Sequence, residues 1–474
     1  MNRNFFATFW KFTIFLALVV FYHLPLQAQT TAAEPLAQLQ QKFVDLRFGM
    51  FIHYNIPTYM DQDWPDPDAS PSIFNPKKLD CDQWAKAAKS AHMTYGCLTT
   101  KHHSGFAIWD TKTTDYNVMN SPLKRDVVKE FVTAFRNNGL KVMLYFSILD
   151  THDKLRPNHI TPEHIKMIKA QLTELLTNYG AIDALIIDGW DAPWSRISYD
   201  DVPFEELYTL IKSIQPNCLV MDLNSAKYPG EALYYTDIKS YEMGAGQHIA
   251  KDANKLPALS CLPLQQSWFW KTSFPTTAVK DAMKMVNDNI IPLNDAHCNF
   301  ILNVAPNRDG LIDDNALAAL KEIGKAWKNT GPTEKISPAP APVISPNLAK
   351  FAMANSSWSD DMNIMDFAND DNFGTDWISN SRVKQPWFEV EFKGEKAFNM
   401  IVIADKNPVT ITKYNLQYRL DGVWKTLFSG VNTDRIKIHR FGRVYGDKVR
   451  IQIEDTGAVA EIAEFGVFNE RGTR

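Results

Sequence analysis

At 474 residues the chain can bury a large core and still carry a second domain. Its formal net charge of -4 provides no global field for holding nucleic acid. The five cysteines, Cys81, Cys97, Cys218, Cys261 and Cys298, are odd in number and lack tight metal-site spacing, and several sit inside apolar strand-like runs, which favours buried free thiols over a disulfide framework.

The first residues read as an export signal. Arg3 and Lys11 supply positive charge, and Phe12 to Tyr22 is an apolar run too short for a comfortable membrane span. Leu26-Gln27-Ala28 offers a small-residue cleavage site, so residues 1–28 are expected to be removed. No cysteine follows the run to take a lipid, and no membrane anchor is expected.

Apolar strands then alternate with helices. Strands are expected at 48–54, 95–100, 140–146, 185–187, 218–221, 233–238, 266–270 and 300–304. Helices are expected at 82–91, 126–137, 162–176, 204–214, 277–286 and 315–327. Thr161 can cap the third of these helices and Gly180 can end it. About eight βα units predict an α/β fold, a (β/α)8-like TIM barrel over 34–334. Residues 335–343, with Pro338-Ala339-Pro340-Ala341-Pro342, read as a stiff linker. Beyond them Tyr414-Asn415-Leu416-Gln417-Tyr418-Arg419 alternates cleanly, as strands with one buried face do. A β-sandwich is expected over 344–471.

Polar residues gather where strands end. His53, His102, His103, Asp188, Asp222 and Glu242 all fall there, as barrel-mouth chemistry requires. Ala184-Leu185-Ile186-Ile187 is buried on both faces and delivers Asp188, then Gly189 and Trp190. The plain alternative is that Asp188 caps the next segment. Zinc would suit His53, His102, His103 and Asp188 by ligand type, but no pair has a motif spacing. No glycine-rich phosphate loop follows a strand, and no nicotinamide fingerprint is present. Clustered His, Trp and Asp suit a sugar, which offers hydroxyls and an apolar face. Glycoside hydrolysis then needs two carboxylates.

The stretch from Phe48 to Trp327 resembles glycoside hydrolase family 29, the α-L-fucosidases. Arg47-Phe48-Gly49-Met50-Phe51-Ile52-His53-Tyr54, Thr100-Lys101-His102-His103-Ser104-Gly105-Phe106 and Asn303-Val304-Ala305-Pro306-Asn307-Arg308-Asp309-Gly310 carry the likeness. The resemblance implies an exo-acting, retaining mechanism through a covalent glycosyl-enzyme, with fucosylated glycans as substrates and no metal or organic cofactor. It implies Asp188 as nucleophile. It implies His53, His102, His103 and Tyr145 as holders of the fucose, with Trp109 and Trp190 as walls. For the acid/base, Glu242 in Asp237-Ile238-Lys239-Ser240-Tyr241-Glu242 resembles one branch of the family. Glu231 in Pro229-Gly230-Glu231-Ala232 resembles another more loosely, and Glu242 is preferred. Asn55 stands where many relatives have glycine. Ser104 replaces their usual aspartate, which bears on sugar specificity. Alternatives are an exo-glycosidase for another sugar such as galactose, or a non-catalytic sugar-binding protein. With the signal, the resemblance implies a bacterial periplasmic or secreted protein; the oligomeric state is left open.

Asn355-Ser356-Ser357-Trp358, Thr375-Asp376-Trp377, Gln385-Pro386-Trp387-Phe388 and Ala463-Glu464-Phe465-Gly466-Val467-Phe468 resemble the discoidin or coagulation-factor-type (F5/8 type C) sandwiches. Trp358, Trp377 and Trp387 are read as core more readily than as a sugar platform.

Overall fold

The computed structural model describes residues 33–474 except 158, 191, 193, 200, 228–232, 234, 248, 250, 252–253, 337–346, 371–374, 407, 456–458 and 470–474. The expected signal, most of the linker, and Glu231 lie outside the described residues.

Eight parallel strands form the first sheet: β1 Phe48–Ile52, β2 Tyr95–Lys101, β3 Lys141–Ser147, β4 Ala184–Asp188, β5 Leu219–Asp222, β6 Lys239–Glu242, β7 Ala258–Pro263 and β8 Cys298–Asn303. Their order is β5-β4-β3-β2-β1-β8-β7-β6, an α/β barrel closed everywhere except between β5 and β6. Side chains and one backbone bond bridge that seam. Asp237 donates its N–H to the Val220 carbonyl at 2.7 Å and accepts the Val220 N–H on its carboxylate at 2.9 Å. The Ser240 N–H donates to Ser225 Oγ at 2.9 Å.

The inner faces of the strands pack as one cluster that includes Phe51, Tyr95, Met143, Ile186, Met221, Leu259 and Ile301. The helix Leu36–Leu46 presents Leu39, Phe43 and Val44 to the same cluster. These positions recur at helical spacing, so one stripe of that helix is buried with the barrel interior. Helices Cys81–Ser90, Val127–Asn137, Pro162–Thr177, Phe204–Ile214 and Asp314–Ala326 cover the outside. Thr161 accepts the His164 N–H in a capping box that starts the third of them.

One side of the barrel departs from the expected strand positions. The sixth strand was expected at 233–238 and lies at Lys239–Glu242. Tyr235 has φ of 51°, a left-handed residue that cannot continue an extended strand. The seventh was expected at 266–270 and is β7, Ala258–Pro263. Its Ala, Ser, Cys and Pro carry little strand signal, whereas Trp268-Phe269-Trp270 carries much and forms a loop. Among the described residues, only short 3-10 turns, Ser225–Lys227 and Met243–Ala245, follow β5 and β6. A strictly regular (β/α)8 repeat is therefore absent there.

The second sheet is antiparallel. Strands β9 Met353–Ser356, β11 Trp387–Ala404, β12 Lys413–Leu420, β13 Val423–Val431, β14 Ile436–Asp455 and β16 Glu464–Phe468 build it. The pair β10 Trp377–Ile378 and β15 Glu461–Ile462 stands apart from it. Trp377, Phe388, Ile401, Ile403, Leu416, Ile451 and Phe465 fill the sandwich core. Successive strand residues face opposite ways. Met400 and Val402, which alternate with Ile401 and Ile403, belong with Phe468 to the buried cluster that runs through the barrel's outer layer. All five cysteines are buried free thiols.

Candidate active site

Asp188 ends β4 and is buried. Tyr145 of β3 donates its hydroxyl to Asp188 Oδ2 at 2.6 Å, and Asn224 donates its amide to Oδ1 at 3.0 Å. Burial pushes the carboxyl up to about 6, against the pull of these two bonds and the Gly189 N–H. Gly189 has φ of 114°, and a Cβ there would lie 2.9 Å from the Ile148 side chain. Only glycine turns the chain this close behind the acid.

Glu242 ends β6 and is partly buried. Burial and, after it, the charge of Asp188 push its carboxyl up to about 7, against the pull of a hydrogen bond from Trp268. Gln247 fixes the turn beneath it. Its side-chain oxygen accepts the Glu242 N–H at 2.9 Å, and its own N–H donates to the Glu242 carbonyl at 3.1 Å.

Three histidines line the same floor. His53 Nδ1 meets Asn303 Oδ1 at 2.8 Å, and the Asn303 amide donates to the Trp268 carbonyl at 2.7 Å. The oxygen therefore faces the ring, so Nδ1 carries the proton and Nε2 is left as an acceptor. His103 Nδ1 meets Ser147 Oγ at 2.8 Å, and that hydroxyl donates to the Leu149 carbonyl. Its Nε2 is likewise an acceptor, 3.8 Å from Asp188 Oδ2. His102 lies parallel to Tyr145, and its Nδ1 has no partner among the described residues. Burial keeps all three neutral: His53 falls to about 4, His103 to about 3, and His102 well below the ordinary value. The Nδ1 partners of His53 and His103 are an amide and a hydroxyl oxygen. Among the described residues there is no group of three or more His, Cys, Asp and Glu arranged to hold a metal.

The structure brings together Asp188, Glu242, His53, His102, His103 and Tyr145. It does not bring Trp109 or Trp190 to the pocket. Trp109 is fully buried, and its indole donates to Glu174 on the outer helix Pro162–Thr177 at 2.9 Å. Trp190 is fully buried against Tyr199 and Phe204 and donates to the Val202 carbonyl. Both rings fill core space. The walls come from elsewhere. Trp268 packs on His53, Phe269 on His53 and His102, and Trp64 and Trp194 on His103.

Asn224, Ser147 and Asn303 are further site residues, and each lies at or just beyond the end of a strand. That position was the available signal. Asn55 is extended and needs no glycine; its amide donates to the Phe106 carbonyl at 2.9 Å. The Ser104 hydroxyl is buried without a partner among the described residues. A carboxylate still stands beside this turn, that of Asp150, so close to Gly105 that a Cβ there would lie 2.1 Å from Oδ1. Asp150 is paired with buried Lys101 at 3.2 Å.

The sequence pattern of the α-L-fucosidase family matches residues 59–332, more than half of the 474. The chain belongs to the α-L-fucosidase family. The F5/8 type C pattern matches residues 352–465. The chain is 29% identical to alpha-L-fucosidase 1 of Arabidopsis thaliana over 425 residues, 83% of this chain and 79% of the plant protein. It is 23% identical to tissue alpha-L-fucosidase of Bos taurus over 326 residues, 60% of this chain and 66% of the bovine protein. The fold is shared with alpha-L-fucosidase isoenzyme 1 from Paenibacillus thiaminolyticus, with a TM-score of 0.53 and 21% identity over 89% of this chain and all of the other. Membership makes this a glycoside hydrolase of the fucosidase type.

Proposed function

We propose that the enzyme releases terminal α-L-fucose from glycans with retention of configuration. The observation that carries this reading is the pairing of two carboxyl groups with different supports. Asp188 is held by two hydrogen bonds on a buried floor, and Glu242 is pushed to a higher value partly by the Asp188 charge. Environments that separate two carboxyl groups suit one to attack and the other to give a proton.

Asp188 attacks the anomeric carbon as a carboxylate. Glu242 protonates the departing glycosidic oxygen, so the bond breaks without expelling an alkoxide. A glycosyl ester on Asp188 results. Glu242, now ionised, takes a proton from water, whose oxygen attacks the same carbon and releases Asp188. Two inversions leave the configuration unchanged. Tyr145 remains protonated, since burial raises its hydroxyl well above the ordinary value. It holds Oδ2 of Asp188 while Asn224 holds Oδ1, and the two bonds together fix the orientation of the carboxylate. The Nε2 atoms of His53 and His103 accept hydrogen bonds from sugar hydroxyls, and neutral rings do this without placing positive charge beside a forming oxocarbenium-like centre.

Replacing Asp188 with alanine tests the assignment. Turnover of an aryl α-L-fucoside should drop by about a thousandfold or more. Azide should restore part of it and yield a fucosyl azide of inverted configuration. Wild-type turnover by the variant would remove Asp188 from the role.

A further inference from the structure

We propose that the buried ion pair between Lys101 and Asp150 is a positioning device for His103: it locks the loop after β3 to the turn that carries the histidine, and so sets how tightly the site holds its sugar. This rests on the fucosidase reading above.

Lys101 ends β2 and is followed at once by His102 and His103. Asp150 lies just beyond β3. Their side chains meet at 3.2 Å and are 0% and 1% exposed, so neither charge touches a bound sugar. The Lys101 ammonium also lies 4.5 Å from the centroid of the Phe146 ring, in the layer behind the strands. The mechanism uses neither charge. Stability does not require them either, since apolar side chains of similar volume often replace such a pair without loss. What an ion pair adds over an apolar contact is a fixed partner and geometry.

The contacts around the pair show what is held. Asp150 Oδ1 accepts the Asp153 N–H at 2.9 Å, and the backbones of Asp150 and Leu155 bond to each other, so the carboxylate sits at the neck of a small closed loop. On its other side it packs on Gly105, where φ is 84° and a Cβ would lie 2.1 Å from Oδ1. The same loop reaches two site residues. Thr151 donates its N–H to the His103 carbonyl at 2.8 Å, and Ile148 donates its N–H to the Asp188 carbonyl at 2.9 Å. Ser147, at the start of this stretch, holds the His103 ring. One segment, 147–151, therefore pins His103 at its ring and at its backbone, and Lys101 anchors that segment through Asp150. With the anchor released, the imidazole loses the frame that sets its Nε2 beside Asp188.

The test reads sugar affinity and stability separately. In Asp150→Asn the shape is kept, the charge is lost and Lys101 is left unpaired. In the double variant Lys101→Met/Asp150→Leu both charges give way to apolar side chains. Each is measured alone and combined with His103→Ala, by the inhibition constant of free L-fucose against an aryl α-L-fucoside and by the melting temperature. The inhibition constant should rise about tenfold in Asp150→Asn, the loss of one good hydrogen bond. The double variant should melt near wild type and still bind fucose about tenfold more weakly. In the His103→Ala background neither change should weaken fucose further, because the pair acts through that ring. An unchanged inhibition constant in both folded variants overturns the proposal, as does a loss that multiplies with that of His103→Ala. Failure of both variants to fold also overturns it, since the pair is then a requirement of the fold. A wild type that neither cleaves a fucoside nor binds fucose would instead overturn the fucosidase reading.

Discussion

At the scale of single residues the pH dependence is the most exacting consequence. Asp188 must be ionised to attack, and Glu242 must be protonated to assist departure. With Asp188 near 6 and Glu242 near 7, the two conditions overlap only in a narrow band. The profile of kcat/KM should be a bell with its maximum between these values, rising as Asp188 loses its proton and falling as Glu242 does. Because each charge affects the other, the two limbs describe the pair. Glu242→Gln should flatten the alkaline limb and lose far more activity on a natural glycan than on an activated aryl fucoside. The same shift enters stability. Glu242 titrates higher when folded than its ordinary 4.5, so its stabilising contribution is complete below 4.5 and lost as pH rises through about 7. Glu242→Gln should therefore melt higher than wild type at pH 8, with the gain shrinking by pH 5. An acid limb that disappeared in place of the alkaline one would reverse the two assignments.

At the scale of elements, strand ends decided what could be read in advance. β1 and β4 are short apolar runs that stop at or beside a polar residue, and β2 opens apolar before Thr-Thr-Lys leads into the paired histidines. The strand-end positions of His53, His102, His103 and Asp188 are therefore legible in the sequence. β6 and β7 are not. β6 is Lys-Ser-Tyr-Glu and β7 mixes small and polar residues, and both are held by neighbours instead of by their own propensity. The strongest aromatic run nearby, Trp268-Phe269-Trp270, folds over the histidines as a loop. Glu242 could still be found because its motif was visible even though its strand was misplaced by several residues. Aromatic walls were the least legible feature, since a sequence does not say which side of a loop a ring will take. Trp109 illustrates this. It follows the His102-His103 loop closely, yet its indole is bound to Glu174 outside the barrel. Trp109→Ala should lower stability by about 3–5 kcal/mol, as loss of a buried large ring does. KM for an aryl fucoside, measured well below the melting midpoint, should stay near wild type. A marked rise in KM without loss of stability would return Trp109 to the pocket.

At the scale of the whole molecule, the sandwich shares packing with the barrel. β11 is buried on both faces around residues 400–403: Ile401 and Ile403 face the sandwich core, while Met400 and Val402 join the cluster of the barrel's outer layer, together with Phe468. Each such side chain contributes about 1.5–3 kcal/mol when taken from water, so removing the sandwich uncovers apolar surface that nothing else fills. Among the described residues of the sandwich, Phe351, Trp358 and Tyr445 are exposed rings. Trp377 is core as expected and Trp387 is partly buried, but Trp358 lies open beside Arg382. A role in support and a role in recognition therefore predict different losses. A chain ended at Glu334 should melt lower and aggregate more readily than the full chain, and its folded fraction should keep most of its turnover of a small aryl fucoside. Adding back Trp358→Ala in the full chain separates the second role, because it leaves the shared cluster intact. With support alone, that variant matches wild type on aryl and glycan substrates alike. A shortened barrel as stable as the full chain, slow only on complex glycans, would instead make the sandwich a recognition module.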